Sequence, residues 1–337
     1  MNITHDPKNI KMTVGEISEL FNAYINNSAS ICVLSYFAEK AQDPDVKSII
    51  LESLNLSKKV VEQITILYNT IHHPLPKGFS KEDVNLEAKR LYSDRFMLTY
   101  IRFMLRFGLT NYAEARTSST RSDVRNFINQ AINSTLELFN KADDILLSKG
   151  LFIKEPNIPI PDIIDFVEKQ SFLNGFFGDK RPLNAAEISR LNLSFNRNTL
   201  GNAFLIGLCQ TVKNKDIKDY LVRGRNLSEK HMEVVGTFLK NEDLPVPPSL
   251  DSEVTRSTDT VFSDKLILFH VIGLNALGLA TTGISLSRMM RRDLSLAITR
   301  IMAEIGLYAE DGFNMMIDNK WFERMPEAAD RKELIGV

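Results

Sequence analysis

Three residues in the C-terminal half of the chain are of the types that hold a metal ion: His231, His270 and Glu304. Two neutral imidazoles and a carboxylate can bind one divalent transition metal and leave coordination positions open, a donor set suited to iron, zinc or manganese. Asn198 or Asn202 could add an oxygen ligand or a supporting hydrogen bond, and Tyr308, four residues after Glu304, shares its helix face. The plainer alternative is two partly buried histidines with ordinary hydrogen bonds and a glutamate that is solvated or paired with Lys or Arg. The chain contains no Glu-x-x-His, so an ordinary di-iron oxidase is not expected. It also lacks a phosphate-cradling glycine motif, Gly-x-Ser-x-Gly and Cys-x-x-Cys.

An internal repeat supplies a control for the triplet. Glu16-Ile17-Ser18 returns as Glu187-Ile188-Ser189, Asp45-Val46-Lys47 as Asp216-Ile217-Lys218, and Asn55-Leu56-Ser57 as Asn226-Leu227-Ser228, each displaced by 171. After one residue of slippage, Ser93-Asp94-Arg95 matches Ser263-Asp264-Lys265, Arg121 and Asp123 match Arg291 and Asp293, and Phe152 matches Phe322, each displaced by 170. Two copies of one module of roughly 150 residues therefore fill the chain. Where the second copy has His231, His270 and Glu304, the first has Val60, Tyr100 and Ser134. The three candidate ligands are missing together. Counted from the expected helix starts, they lie about 15, 10 and 14 residues in, which at ~1.5 Å per residue puts all three near the middle of the module.

The elements that must position them are helices. Thr13-x-x-Glu16 and Asn184-x-x-Glu187 are matched capping boxes. After the first of them, Ile17, Leu20, Phe21, Tyr24 and Ile31 trace an amphipathic helix to about Lys40. Asp43-Pro44 starts a second helix that runs to about His72, before Pro74 and Pro76; Pro245, Pro247 and Pro248 stand at the same place in the second copy. A polar connection of a dozen or more residues leads to third helices near Ser93 and Ser263, and fourth helices follow from about Thr120 and Met290. Gly150 closes the fourth helix of the first copy. The fold class is thus all-α, two tandem four-helix bundles. The long middle connection suits a ferritin-like crossover, and a plain up-down bundle stays open.

With 41 Lys+Arg against 42 Asp+Glu, the net charge of −1 gives no global positive field, which disfavours nucleic acid. Cys32 and Cys209 are not at equivalent positions and read as two reduced thiols in apolar surroundings rather than a disulfide. Met1 to Met12 is polar with no apolar h-region, so a cytoplasmic location is expected. Leu266 to Leu286 is uncharged and about long enough to span a bilayer. Arg102 and Arg106 in the equivalent stretch argue for a helix wholly buried in its bundle, with Gly273, Ala276, Gly278 and Ala280 letting neighbours come close. No membrane span is expected. His72-His73 is explained by its helix end, and Met289 to Asp293 by packing plus a solvated basic cluster.

The chain divides into a first bundle over 1–155, a Pro/Phe-rich linker over 156–183 and a second bundle over 184–337. Ile163 to Gln170 could form a short helix in the linker. Phe172, Phe176 and Phe177 either glue the bundles together or form an exposed patch for a protein partner or a second copy.

Pro159-Ile160-Pro161, Lys169-Gln170-Ser171-Phe172, Arg181-Pro182-Leu183-Asn184-Ala185, Phe262-Ser263-Asp264-Lys265, Met302-Ala303-Glu304-Ile305-Gly306 and Ala328-Ala329-Asp330-Arg331 carry a resemblance. Along nearly its whole length the chain resembles the tandem-repeat domain-of-unknown-function family numbered thirty-two thirty-one, from spore-forming bacilli, whose members look like two fused ferritin-like bundles. The resemblance implies that fold and a cytoplasmic or spore-associated bacterial setting, and it implies no reaction. Three functions stay open. The first is a non-catalytic structural or binding protein; the second is a metal-dependent protein using His231, His270 and Glu304. The third is an apolar-ligand binder, in which the glycine-rich, charge-free helix leaves a cavity beside Phe269.

Overall fold

Thr13 and Asn184 open the two copies in the same way. Each side chain accepts the backbone N–H of the glutamate three residues on, and that glutamate reaches back to the cap's own N–H. In the computed structural model, which describes residues 6–335, the first copy folds as α1 (Val14–Lys40), α2 (Pro44–Thr70), α3 (Asp94–Ser118) and α4 (Ser122–Ser148). The second folds as α5 (Ala185–Thr211), α6 (Lys215–Lys240), α7 (Asp264–Leu286) and α8 (Arg292–Asp318), and a short α9 (Arg331–Ile335) follows. Among the described residues there is no strand beyond two isolated bridges. The first residues of the polar N-terminal stretch, 1–5, lie outside the described part.

End-to-end contacts give the helix directions. The Asp94 carboxylate at the start of α3 accepts the N–H groups of Gln42 and Asp43, between α1 and α2, at 3.0 and 3.3 Å. Glu16 at the start of α1 accepts those of Thr120 and Arg121, between α3 and α4, at 2.8 and 2.7 Å. So α3 runs antiparallel to α1 and parallel to α2, and residues 71–93 carry the chain back along the bundle. The connectivity is therefore the crossover type, not up-down.

The two crossovers also join the bundles. Ser93 donates its N–H to the Glu253 carbonyl and its hydroxyl to the Glu253 carboxylate, at 2.9 and 2.5 Å. Ser263 does the same with Asp83, at 2.9 and 2.7 Å. Residues 83 and 253 are equivalent, as are 93 and 263, so the contacts obey a two-fold relation between the copies. Val84 bridges to Phe262 and Tyr92 to Val254 in antiparallel fashion. Inside this junction Tyr92 stacks on Phe96 at 4.2 Å and donates its hydroxyl to the Phe204 carbonyl at 2.8 Å.

Four expectations are corrected. The linker forms no helix over 163–170, only a 3-10 turn at Gln170–Leu173. Phe176 and Phe177 are 53% and 87% exposed and glue nothing, because the crossovers already do so; Phe172 packs instead under the Arg181 guanidinium, 4.0 Å away. Helix α7 is not wholly buried. By length and composition it is the one described helix that could cross a membrane, yet it lies between two bundles, with Leu268, His270 and Val271 inside and Ala276, Ala280 and Ile284 outside. Finally, Arg291 is not part of a solvated cluster: it is buried, paired with Asp293 and Glu242 at 2.8 Å each.

Candidate functional site: one cleft in each bundle

The two-fold relation produces the same cleft twice. In the first bundle α1, α2, α3 and α4 surround a space of about 140 Å³, and α7 of the second bundle contributes Phe269, His270, Gly273 and Leu274 to its wall. In the second bundle α5 to α8 surround about 70 Å³, and α3 contributes Tyr100 and Phe103. Nearly every lining residue of the second cleft has its repeat partner lining the first, among them Arg197 and Asn26, Asn198 and Asn27, Gly201 and Ser30, Gly224 and Ser53, Ser228 and Ser57, Asn275 and Leu105.

The difference in size has a residue-level cause. Gly273 and Phe103 are equivalent, 170 apart. Phe103 fills part of the second cleft, whereas a Cβ built on Gly273 would meet nothing within 4 Å. The glycine thus leaves space rather than admitting a close neighbour. The first cleft is largely apolar, lined at depth by Val33, Leu34, Ile101 and Met104, and the Ser53 hydroxyl is buried there without a partner. The second is more polar: Arg197, Asn198, His231 and Asn275 share it with Phe204 and Ile305.

The candidate metal ligands divide between these two environments. His231 Nε2 lies 3.0 Å from Glu304 Oε2, and Lys230 Nζ lies 2.5 Å from Glu304 Oε1. Burial holds the His231 pKa below its usual value although Glu304 pulls the other way. Burial would raise that of Glu304, but its bonds to Lys230 and His231 outweigh it and lower it. His270 does not join them. Its Nε2 sits 2.8 Å from the hydroxyl of Tyr100, its own counterpart in the first copy, with the rings stacked at 5.7 Å. Burial pulls the His270 pKa down to about 4. Asn198 donates to the Ser194 carbonyl, Asn202 to Asp251, and Tyr308 stacks on Tyr220, each hydroxyl donating to the other's carbonyl at 3.2 Å. Among the described residues no group of three or more His, Cys, Asp or Glu side chains is placed to hold a metal ion. Both cysteines are free; burial pushes the Cys32 thiol up to about 12.

Both halves match one family model, described as Protein of unknown function (DUF3231), over residues 1–163 and 171–334. The chain belongs to the DUF3231 family. A solved structure from Bacillus halodurans, described as a "putative spore coat protein", is 19% identical, with a TM-score of 0.41 over 46% of this chain and 100% of that one. No curated protein matches.

In this DUF3231 chain, sequence reasoning missed Arg197 and Asn275, the two residues that most distinguish the clefts. The signal was available: under the repeat they replace Asn26 and Leu105, a charge gained at a polar position and an amide gained at an apolar one.

Proposed function

We propose that this protein is a non-catalytic binding protein that takes a small apolar molecule into the cleft of its first bundle. The observation that carries this reading is the open space beside Gly273, at the position where the other copy has Phe103. A cleft of about 140 Å³ with largely apolar walls is of the size that takes one aromatic ring, and the partnerless Ser53 hydroxyl offers a single polar contact. A spore setting rests on the family resemblance, and immunoblots of mother-cell and spore fractions test it.

Toluene is a suitable probe because it is uncharged. Titration into the protein is expected to give saturable methyl shifts for Leu34, Met104 and Leu274, and Gly273→Phe is expected to abolish them while the circular dichroism stays helical. Shifts absent in the wild type, or unchanged in the variant, would refute the reading. Elemental analysis of the same untagged preparation bears on the metal alternative. Near-stoichiometric iron, zinc or manganese lost in His231→Ala would favour a metal held by the His231–Glu304 pair.

A further inference from the structure

The cleft of the second bundle holds a charge that no carboxylate among the described residues neutralises. Arg197 Nη1 donates to the Gly278 carbonyl at 3.0 Å, to Thr282 Oγ1 at 3.2 Å and to Thr281, all neutral acceptors. Its Nη2 is buried with no partner, and among the described residues no carboxylate forms an ion pair with Arg197. Glu304, the carboxylate bonded to the cleft residue His231, is occupied by Lys230 and His231. Burial pulls the guanidinium pKa down to about 10, which leaves it cationic at neutral pH. On the same wall the Asn275 Nδ2 is buried with no acceptor at bonding distance, although its amide bears on the Tyr220 hydroxyl. A buried charge with no counter-ion is costly, so such an arrangement is expected where a ligand completes it.

We infer that this second cleft is a carboxylate-binding site, with the Arg197 guanidinium as its anchor and the Asn275 amide as a second donor. Arg197 Nη2 and Asn275 Nδ2 are both N–H donors without an acceptor at bonding distance, so the ligand must be an acceptor, and the guanidinium asks for a single negative charge. A planar carboxylate meets a guanidinium in its own plane, whereas a phosphate dianion would need more donors than the cleft supplies. His231 is not available to the ligand through Nε2, which is engaged by Glu304. The walls around the donors, Leu200, Phe204, Leu274 and Ile305, suit an apolar remainder on the acid. The first bundle cannot do the same, because Arg197, Asn275 and His231 stand there as Asn26, Leu105 and Val60. The site is independent of the apolar-ligand reading.

Calorimetric titration of the full chain with sodium propionate, sodium octanoate and sodium phosphate tests the assignment. Saturable binding of a carboxylate is expected, weakened about 10- to 100-fold in Arg197→Met, as fits the loss of a charge-assisted hydrogen bond. Asn275→Leu should weaken it less. Gly201→Leu, where a side chain would enter open space within this cleft, should abolish it, and Gly273→Phe, which fills only the other cleft, should leave it unchanged. Tighter octanoate than propionate would identify a chain acid, and the reverse a small free acid. Without ligand, Arg197→Met is expected to melt no lower than the wild type; should it fail to fold, Gly201→Leu and Asn275→Leu decide. No saturable binding by either carboxylate, phosphate binding as tightly as both, or binding indifferent to Gly201→Leu would each overturn the assignment.

Discussion

At the scale of single residues, the repeated glutamates show how much one buried side chain can hold together. Glu16 is fully buried; burial would raise its pKa, but the N–H groups of Thr13, Arg121 and Thr120 outweigh it and the carboxyl is held below its usual range. It therefore caps α1 and the start of α4 at once. Glu187 repeats this and adds a bidentate pair with Arg181 at 2.7 and 2.8 Å. His270 is the titratable counterpart of such a fixture. Its folded pKa of about 4 lies below the ordinary value of 6.5, so above pH 6.5 neither state binds the proton and stability is complete. As pH falls from 6.5 to 4 the unfolded chain takes up a proton that the folded chain refuses, at ~1.4 kcal/mol per unit, and stability is lost. His270→Gln keeps a polar partner for Tyr100 without the titration. It is expected to be less stable than the wild type at pH 7 and to close that gap by roughly 2 to 3 kcal/mol near pH 4.5. Urea unfolding at pH 7, 6, 5 and 4.5 checks it, and a constant gap would show that His270 does not titrate in this way.

At the scale of elements, helix existence and ends were legible because their signals are local: Thr13 and Asn184 with their glutamates, Asp43 before Pro44, and Gly150, which takes a left-handed φ of 65°. The candidate site was legible only in part. Counting residues from helix starts gave depth, but whether His270 meets His231 depends on which face α7 turns to which neighbour, and that is set by the other copy. The same limit hid the junction at Gly207. A Cβ there would lie 2.4 Å from the Tyr92 hydroxyl, which comes from the first copy's crossover. At the equivalent place the helix carries Tyr36 and the crossover Phe262, packed edge-on at 5.6 Å. Where the helix has lost its ring, the crossover ring lies directly against the backbone. Gly207→Ala is accordingly expected to cost about 1 to 3 kcal/mol by overpacking, even though alanine favours a helix by about 1 kcal/mol. In a Tyr92→Leu background the same change should be neutral or stabilising, and a double-mutant cycle by urea unfolding that shows plain additivity would contradict the packing described.

At the scale of the whole molecule, key contacts across the two-fold recur as equivalent pairs, Asp83 with Ser263 and Glu253 with Ser93, while Tyr100 meets its own counterpart His270. Such an interface is self-complementary in the sense of a two-fold dimer, except that its two faces are covalently linked. A first copy separated from the second, residues 1–160, would lose the partners of Asp83 and Ser93, and α3 would lose the helix that closes its cleft. A second molecule of the same fragment could restore both, because Ser93 of one would stand opposite Asp83 of the other, as Ser263 does in the intact chain. Tyr100 would then face Tyr100, two hydroxyls replacing a hydroxyl and an imidazole, so the hydrogen bond survives. The fragment is expected to sediment as a dimer at micromolar concentration, with a melting temperature that rises with concentration, whereas the full chain melts in one transition independent of concentration. Asp83→Ala together with Ser93→Ala should shift the fragment toward monomer and lower its melting temperature. A fragment that is monomeric and as stable as the full chain would mean that the crossovers contribute little to either fold.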